Sequence, residues 1–289
     1  MQKIFIMCAG ESKRWNNHLG VVKQMVPIDG EPLLHRTVRL LNERGFNSIH
    51  VVTNNPTISS PAVTYIKPKN HNWLVESIYS LEEYFHDENI ILLGDVFFTP
   101  NALDQICSNT QDISIFGRPH PSDITGCPYK ELFALRVTNA SLKRTMDILA
   151  LAVFLARFCA EGNGVSVAVS RIKLLLKSKR YYGYVDRQRE LVEALSMFTK
   201  APPVGIKGII ERSSLFWSVI RLLLGRETYD LHINGRLWGF YLLYMDLHLT
   251  DIDRLSFNSN LFYTIDDETE DFDFPSDYEE WLKRKVALN

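Results

Sequence analysis

The first half of the chain alternates short apolar runs with longer amphipathic stretches. Ile4 to Met7, Ile49 to Thr53 and Ile90 to Leu93 are short and apolar, as is typical of buried strands. Between the first two, apolar residues recur at helical spacing from Pro32 to Arg44, and Gly45 follows at the end. This order of strands and helices predicts an α/β fold with a mainly parallel sheet flanked by helices.

The middle of the chain has a different pattern. Long apolar and basic stretches with helical spacing dominate residues 139–235, which predicts a helical insertion or lid subdomain. The α/β core is then expected to consist of residues 1–138 and 236–289. The closing stretch DFDFPSDYEEWLKRKV predicts a short strand followed by a C-terminal helix. Apolar helices also form dimer interfaces, so a homodimer is one of the open alternatives.

No stretch of the sequence has the length of a membrane span. The most apolar one, Ile148 to Ala160, is interrupted by Arg157 and is shorter than the roughly 20 residues required. It is expected to be a buried helix, or alternatively a helix on a membrane surface. The chain starts without a secretory pattern. A cytoplasmic protein with reduced thiols is expected, because the cysteines are far apart and lack metal-type spacing. They are Cys8, Cys107, Cys127 and Cys159.

Composition and missing motifs exclude several classes of function. The formal net charge of -2 argues against nucleic-acid binding, which usually requires a basic surface. The sequence contains no P-loop, no dinucleotide-binding glycine motif, no zinc-protease motif and no serine-hydrolase elbow. Most ATPases, dehydrogenases, zinc proteases and serine hydrolases are therefore disfavoured.

A small-residue turn follows the first predicted strand. Backbone N–H groups from Ala9 to Ser12 would face the carboxyl edge of the sheet, where open α/β sheets bind ligands. Arg14 and Lys23 add two cations shortly afterwards, and this combination suits phosphate oxygens. The alternative is a solvated turn with two surface cations.

Carboxylates occupy two further positions that suit a metal site. Asp95 follows a buried strand and a glycine, although an aspartate there is also a common loop cap. Asp271 and Asp273 alternate with Phe272 and Phe274, so a strand would place both carboxylates on one face and both rings on the other. Mg²⁺ is usually held by one or two carboxylates together with substrate phosphates. A solvated acidic loop is the alternative for the second segment.

These segments together resemble the nucleotidyltransferase superfamily. The stretch CAGESKRW…VKQMVPIDGEPLLHRTVRLL is similar to its N-terminal signature, LLGDVFF to its metal-binding Gly-Asp, and DFDFPSDYEEW to its closing acidic motif. Glu11 and Val22 stand where the superfamily commonly has glycine and proline. The matching positions of the first motif are Ala9, Gly10, Arg14, Lys23, Gly30, Pro32, Leu33 and Leu34.

The resemblance implies a Rossmann-like, nucleotide-diphospho-sugar transferase-like fold and a magnesium-dependent transfer of a nucleotide from CTP, UTP or GTP to a sugar phosphate or choline phosphate. Pyrophosphate would leave as the acceptor phosphate attacks the α-phosphorus. The resemblance also implies roles for individual residues. Lys23 and Arg14 would neutralise phosphate charge, Asp95 and Asp273 would hold Mg²⁺ with help from Asp271, and the base and phosphates would contact Ala9, Gly10, Glu11, Ser12 and Ser77.

Two other functions are open on the sequence. A GT-A type glycosyltransferase shares the sheet architecture, and its metal motif resembles DFD. A non-catalytic nucleotide-binding module is suggested by the altered loop at Glu11 and by the large helical segment. Arg118, His120 and Lys130 are candidates for acceptor contacts, with ordinary surface residues as the alternative.

Overall fold

The secondary structure follows the predicted alternation of strands and helices. The computed structural model describes residues 2–10, 13–127, 130–160 and 261–288. The strands are β1 (Gln2–Met7), β2 (Pro27–Ile28), β3 (Glu31–Pro32), β4 (Ile49–Val52), β5 (Thr64–Ile66), β6 (Glu88–Leu93), β7 (Val96–Phe97), β8 (Ile113–Arg118), β9 (Glu131–Thr138), β10 (Phe262–Thr264) and β11 (Glu270–Asp271). The helices are α1 (Leu33–Glu43), α2 (Leu74–Tyr79), α3 (Pro100–Ser108), α4 (Asn139–Ala160) and α5 (Pro275–Leu288). Short 3-10 turns occupy His18–Gly20, Lys23–Met25 and Glu82–Tyr84.

Seven strands form the main sheet, in the order β10-β8-β9-β6-β1-β4-β5. The first strand pairs in parallel with both β4 and β6, and β5 and β10 also join their neighbours in parallel. Strand β9 alone runs antiparallel to its two neighbours. The predicted mainly parallel α/β fold is therefore confirmed. The apolar spacing from Leu74 to Phe85 predicts a single helix, but the helix ends at Tyr79 and a 3-10 turn follows at Glu82–Tyr84.

The main core forms where α1 and α3 pack on the central strands. The strands are buried on both faces, so they are apolar along most of their length rather than alternating. This explains why continuous apolar runs were the dominant sequence signal. Members of the core from β1, α1, β4, β6 and α3 include Ile4, Ile6, Leu34, Leu41, Val51, Ile90, Leu92, Leu103 and Ile106.

The C-terminal segment packs against the N-terminal part of the chain through a second hydrophobic cluster, which we call the aromatic cluster. Its rings meet edge to face or tilted, in arrangements that are favourable beyond area burial alone. Strand β11 also pairs antiparallel with β7, and the Tyr278 hydroxyl donates to the Pro27 carbonyl at 2.7 Å. The two ends of the chain therefore meet. The aromatic cluster consists of Trp15, Phe97, Phe272, Tyr278 and Trp281.

Two compact units divide the chain. One comprises Met1–Lys143 and Ser256–Asn289, and the other comprises Arg144–Leu255. Most of the predicted insertion, residues 139–235, lies outside the described residues, so the predicted domain boundaries stay predictions. Within the described ranges, no helix combines the length and the apolarity needed to cross a bilayer.

Candidate active site

The candidate site forms where β1 and β6 end side by side. Gly94 is essential to this approach, since a Cβ at that position would lie 2.8 Å from the Met7 carbonyl oxygen and would overlap the Cys8 sulfur. The Gly94 N–H instead donates to the Met7 carbonyl oxygen at 3.0 Å. The next residue, Asp95, is consequently held beside the end of the first strand, at the edge of the sheet where α/β folds bind ligands.

Three carboxylates meet at this edge. Oxygens of Asp95, Asp271 and Asp273 all lie within 4.8 Å of one another. Asp271 reaches the group because it pairs with Val96 across the β7–β11 ladder. Its Oδ1 atom is buried and has no hydrogen-bond partner among the residues that the structure describes. Since buried polar atoms are almost always paired, an unpaired carboxylate oxygen in an acidic cluster indicates a position for a cation.

Phe272 and Phe274, which alternate with Asp271 and Asp273 in the sequence, differ in how deeply their rings are buried. Phe272 is fully buried in the aromatic cluster, whereas Phe274 is 40% exposed. The centroid of the Phe274 ring lies 5.1 Å from the guanidinium carbon of Arg14, which stands over the ring. The prediction that one strand face would carry both rings is therefore wrong. The reason is that β11 ends at Asp271, so the strict alternation does not extend to residue 274.

Two cations from the N-terminal loop contact the carboxylates. Lys23 forms an ion pair with Asp95, and its Nζ also donates to Asp273 Oδ1 at 3.3 Å. Arg14 Nη1 lies 2.7 Å from Asp273 Oδ2. The lysine side chain is 12% exposed and the arginine side chain 40% exposed. Residues 250 positions apart along the chain thus share one cluster.

Burial and mutual repulsion set the charges in this cluster. Burial, reinforced by the neighbouring charges of Asp95 and Asp273, raises the pKa of Asp271 well above its usual range. Burial lowers the pKa of Lys23, but the three carboxylates outweigh it, so that its pKa lies above the ordinary value and the ammonium stays charged. When all three carboxyl groups are ionised, they outnumber the two cations, so the protein neutralises the ionised cluster only in part. The donor set therefore fits a hard cation such as Mg²⁺, which prefers carboxylate oxygens.

The predicted nucleotide loop is described only in part. Ala9 is half-buried and Gly10 is exposed, and apart from the chain neighbours of Gly10 no atom of the described residues lies within 4 Å of the position that its Cβ would take. Glu11 and Ser12 lie outside the described residues. The open surroundings of Gly10 leave space beside the ends of β1 and β6. The nucleotide-binding roles of these four residues stay predictions.

Other predicted contacts lie in less open surroundings. Ser77 is buried, and its hydroxyl donates to the Trp73 carbonyl one turn earlier in α2 at 3.2 Å. Its role in nucleotide binding stays a prediction. Arg118 is buried in an ion pair with Glu270, so its guanidinium is not presented as a surface contact for an acceptor. His120 is exposed, with Nε2 3.5 Å from an Asp266 oxygen.

Sequence reasoning missed the partners that hold the acidic segment in place. Glu270, which precedes Asp271, is completely buried and receives hydrogen bonds from Arg118 and Ser122. No local pattern signals this pairing, because the partners are 148 and 152 residues away from Glu270. The aromatic residues Tyr278 and Trp281, spaced at a helical interval, were an available signal for the aromatic cluster.

The family comparison agrees with the geometry. Residues 4–141 match the MobA-like NTP transferase domain. Over these residues the chain is similar to a nucleotidyltransferase domain. The superfamily and the class of enzyme expected from the sequence motifs are therefore confirmed. Among curated proteins, none matches the chain in sequence.

Several solved structures share features of the nucleotidyltransferase fold. A Bacillus anthracis protein assigned as a glucose-1-phosphate thymidylyltransferase is 10% identical, with 100% of this chain and 95% of that chain covered and a TM-score of 0.47. For HddC from Yersinia pseudotuberculosis the identity is 14%, the coverage 49% and 79%, and the TM-score 0.35. The inositol-1-phosphate CTP transferase from T. maritima is 17% identical, with coverage of 49% and 72% and a TM-score of 0.37.

Proposed function

We propose that the protein transfers a nucleoside monophosphate from an NTP to a phosphorylated small-molecule acceptor and releases pyrophosphate. The observation that carries this proposal is the convergence of Asp95, Asp271 and Asp273 with Lys23 at the ligand-binding edge of a nucleotidyltransferase domain. CTP, UTP and GTP are the candidate donors, and a sugar phosphate or choline phosphate is the candidate acceptor.

The proposed cofactor is Mg²⁺. Asp95 and Asp273 would hold it, and Asp271 would contribute the Oδ1 atom that has no other partner. When bound, the ion supplies positive charge to the phosphate oxygens of the nucleotide and orients them for displacement. The acidic excess of the cluster, with its unpaired carboxylate oxygen, supports this assignment.

Lys23 is suited to stabilise negative charge on the nucleotide. Its side chain is largely buried, and the surrounding carboxylates keep its ammonium protonated. When a nucleotide is bound, its phosphates would offer the Lys23 ammonium new anionic partners beside Asp95 and Asp273. Lys23 would then move from carboxylate to phosphate while staying in the same small volume. A fixed charge near developing charge is among the larger contributions to catalysis.

Arg14 is suited to guide the phosphates at the entrance to the site. Its guanidinium contacts Asp273 on one side and the exposed ring of Phe274 on the other. Guanidinium groups bind phosphate through two parallel hydrogen bonds. Because Arg14 is more exposed than Lys23, we expect it to contribute to nucleotide affinity more than to the rate of transfer.

The acceptor needs no general base from the protein. A phosphate monoester has a second pKa of about 6 and is largely a dianion at neutral pH. It is already a nucleophile when it arrives, so catalysis rests on alignment with the α-phosphorus and on charge neutralisation. Lys23, held protonated, serves as a charge and not as a base in this scheme.

A matrix of substrates tests the proposal. Each of the four NTPs is incubated with Mg²⁺ and a panel of sugar phosphates and choline phosphate, and pyrophosphate is measured together with the nucleotide product. Release of pyrophosphate that requires both substrates, and that stops with EDTA, is expected. Asp104→Asn serves as a control, because this exposed aspartate pairs with Arg44 outside the carboxylate cluster.

Two outcomes would reject nucleotidyl transfer. Release of a free nucleoside diphosphate from a nucleotide sugar, without pyrophosphate, would indicate a glycosyltransferase. Binding of an NTP without any turnover across the whole acceptor panel would indicate a non-catalytic module. A homodimer and a cytoplasmic location stay predictions, which size-exclusion chromatography with light scattering and cell fractionation would test.

A further inference from the structure

A second charged group lies directly behind the carboxylate cluster. We call it the Glu270 network, and it consists of Glu270, Arg118 and Ser122. The arginine Nη1 and Nη2 atoms donate to Oε2 and Oε1 of Glu270, each at 3.0 Å, and the serine hydroxyl also donates to Oε2. Glu270 is 0% exposed and Arg118 is 5% exposed. Such a bidentate pair fixes orientation as well as distance.

The network is attached to the strand that carries a candidate metal ligand. Glu270 and Asp271 form the whole of β11, and side chains of successive strand residues point to opposite faces. The Glu270 carboxylate therefore anchors the strand from the face opposite Asp271. Across the ladder, Asp271 pairs with Val96, the residue after Asp95.

This anchor is needed because the ladder itself is minimal. Strands β7 and β11 contain two residues each, and a two-stranded pair of this kind has little stability on its own. The Phe272 N–H adds one bond to the Asp95 carbonyl oxygen at 3.2 Å. Arg118 is the last residue of β8, so its bidentate contact attaches the same short segment to the carboxyl end of a strand of the main sheet.

The same carboxylate also organises the loop after β8. Ser122 Oγ, which donates to Glu270, accepts bonds from the N–H groups of Ile124 and Thr125, both at 3.1 Å. Arg118 Nε donates to the His120 carbonyl oxygen at 3.2 Å. One buried carboxylate thus joins the loop to the strand that carries Asp271.

We propose that Arg118, Glu270 and Ser122 are positioning residues that hold Asp271 at metal-binding distance from Asp95. This inference rests on the proposed function, in which Asp271 is a magnesium ligand. A buried ion pair is weak evidence for stability alone, because apolar residues of the same volume often stabilise a fold as well or better. The network is attached both to the strand that carries Asp271 and to the neighbouring loop, so it also fixes the position of Asp271.

The test measures metal affinity without turnover. Mn²⁺ binding to the full-length protein is followed by electron paramagnetic resonance for wild type, Ser122→Ala and the double variant Arg118→Met/Glu270→Gln. The double variant removes both charges together and avoids leaving one of them unpaired. Loss of a group that orients a metal ligand typically weakens metal binding about 10- to 100-fold, and we expect at least the lower figure for the double variant.

Arg136→Met is the matched control. Arg136 is also a buried arginine of the main sheet, but it belongs to β9, and in the described structure it pairs with Glu88 at 3.4 Å and donates to the Gln111 carbonyl oxygen, both outside β11. We expect it to reduce thermal stability with Mn²⁺ affinity within twofold of wild type. We expect Ser122→Ala, which is the mildest change, to weaken Mn²⁺ binding about threefold, below the 10- to 100-fold range for a complete loss of orientation.

The dependence of the steady-state rate on Mg²⁺ concentration distinguishes a positioning role from a general loss of folded structure. In the double variant the Mg²⁺ concentration for half-maximal rate should rise about tenfold, and excess Mg²⁺ should restore most of kcat. Mn²⁺ affinities within twofold of wild type in both folded variants would overturn the inference, and Ser122→Ala decides alone if the double variant does not fold. A wild type that binds Mn²⁺ but transfers no nucleotide would reject the proposed function and leave the affinity comparison in force.

Discussion

In the described structure, two adjacent groups of charged residues meet at the segment 270–273, and they are built differently. The carboxylate cluster combines three acids with two cations, stays partly exposed and leaves one buried oxygen unpaired. The adjacent Glu270 network is balanced and almost completely buried, and both of its carboxylate oxygens are bonded.

Under the proposed function, this difference distinguishes the residues that bind the metal ion from the residues that hold a metal ligand in position. In the Glu270 network every hydrogen bond that the fold requires is already made within the protein, so no ligand is needed. In the carboxylate cluster the protein neutralises only part of its own negative charge, and the remaining charge favours a cation. Charge balance and bond satisfaction, more than residue type, distinguish the two groups.

The largest expected effect comes from removing a charge at the centre of the carboxylate cluster. Asp95→Asn and Asp273→Asn should each reduce magnesium-dependent pyrophosphate release by about 1,000-fold, the upper end of losses seen when transition-state charge stabilisation is removed. Folding should be preserved, because asparagine has nearly the same shape as aspartate. Circular dichroism and thermal melting check the fold. Full activity in both variants would remove the metal assignment.

Lys23→Ala should have the next largest effect. It removes the most buried cation of the cluster, and we expect kcat to fall by about 100- to 1,000-fold, or roughly 3–4 kcal/mol of transition-state stabilisation. Arg14→Ala should instead act mainly on the KM for the nucleotide, since Arg14 is more exposed. Steady-state kinetics on both variants provide the measurement. A Lys23→Ala rate within twofold of wild type would eliminate the proposed role of this lysine.

For the free energy of unfolding we expect the reverse order, with larger losses from the Glu270 network than from the carboxylate cluster. Glu270→Ala leaves Arg118 as an unpaired buried charge, so its free energy of unfolding should fall by about 3–5 kcal/mol. Arg14→Ala breaks a partly exposed pair and should change that free energy by less than about 1 kcal/mol. Urea denaturation measures both. Equal losses would show that burial does not separate the groups in the way described.

The smallest expected effect, and the one with a pH signature, is that of Asp271→Asn. The pKa of Asp271 is raised in the folded protein, so its contribution to stability is lost as pH rises through that raised value. The variant has no such loss and should become the more stable protein at alkaline pH. The two proteins should converge below about pH 4, where aspartate is protonated in the unfolded chain as well. Melting temperatures of both proteins in EDTA from acidic to alkaline pH test the sign, and a variant that is no more stable than wild type at alkaline pH contradicts it.

Much of the carboxylate cluster could be predicted because its positions depend on strand ends. A buried apolar run that stops at Gly94-Asp95 places that aspartate at the ligand edge of a parallel sheet, whatever the distant chain does. The carboxylates of Asp271 and Asp273 were likewise expected to share a face, and the structure does bring both to Asp95. These inferences used only local pattern and the general rule for α/β folds.

The Glu270 network could not be predicted in the same way. Its pairing requires Arg118 at the end of β8 and Glu270 in the short β11 to come together, and the position of β11 depends on its pairing with β7 and on packing of the aromatic cluster. Phe274 shows the same limit, since its exposure follows from where β11 ends and from the nearby Arg14. Long-range packing therefore determined which acidic residues joined the carboxylate cluster and which joined the buried Glu270 network.

The central claim is that Asp95, Asp271 and Asp273 hold one metal ion against a nucleoside triphosphate. Mn²⁺ titration by electron paramagnetic resonance, with and without a non-hydrolysable NTP analogue, tests it most directly. The account predicts a Mn²⁺ site in wild type that tightens with the nucleotide analogue and is lost in Asp95→Asn and Asp273→Asn. Identical Mn²⁺ affinities in wild type and in both variants would contradict it.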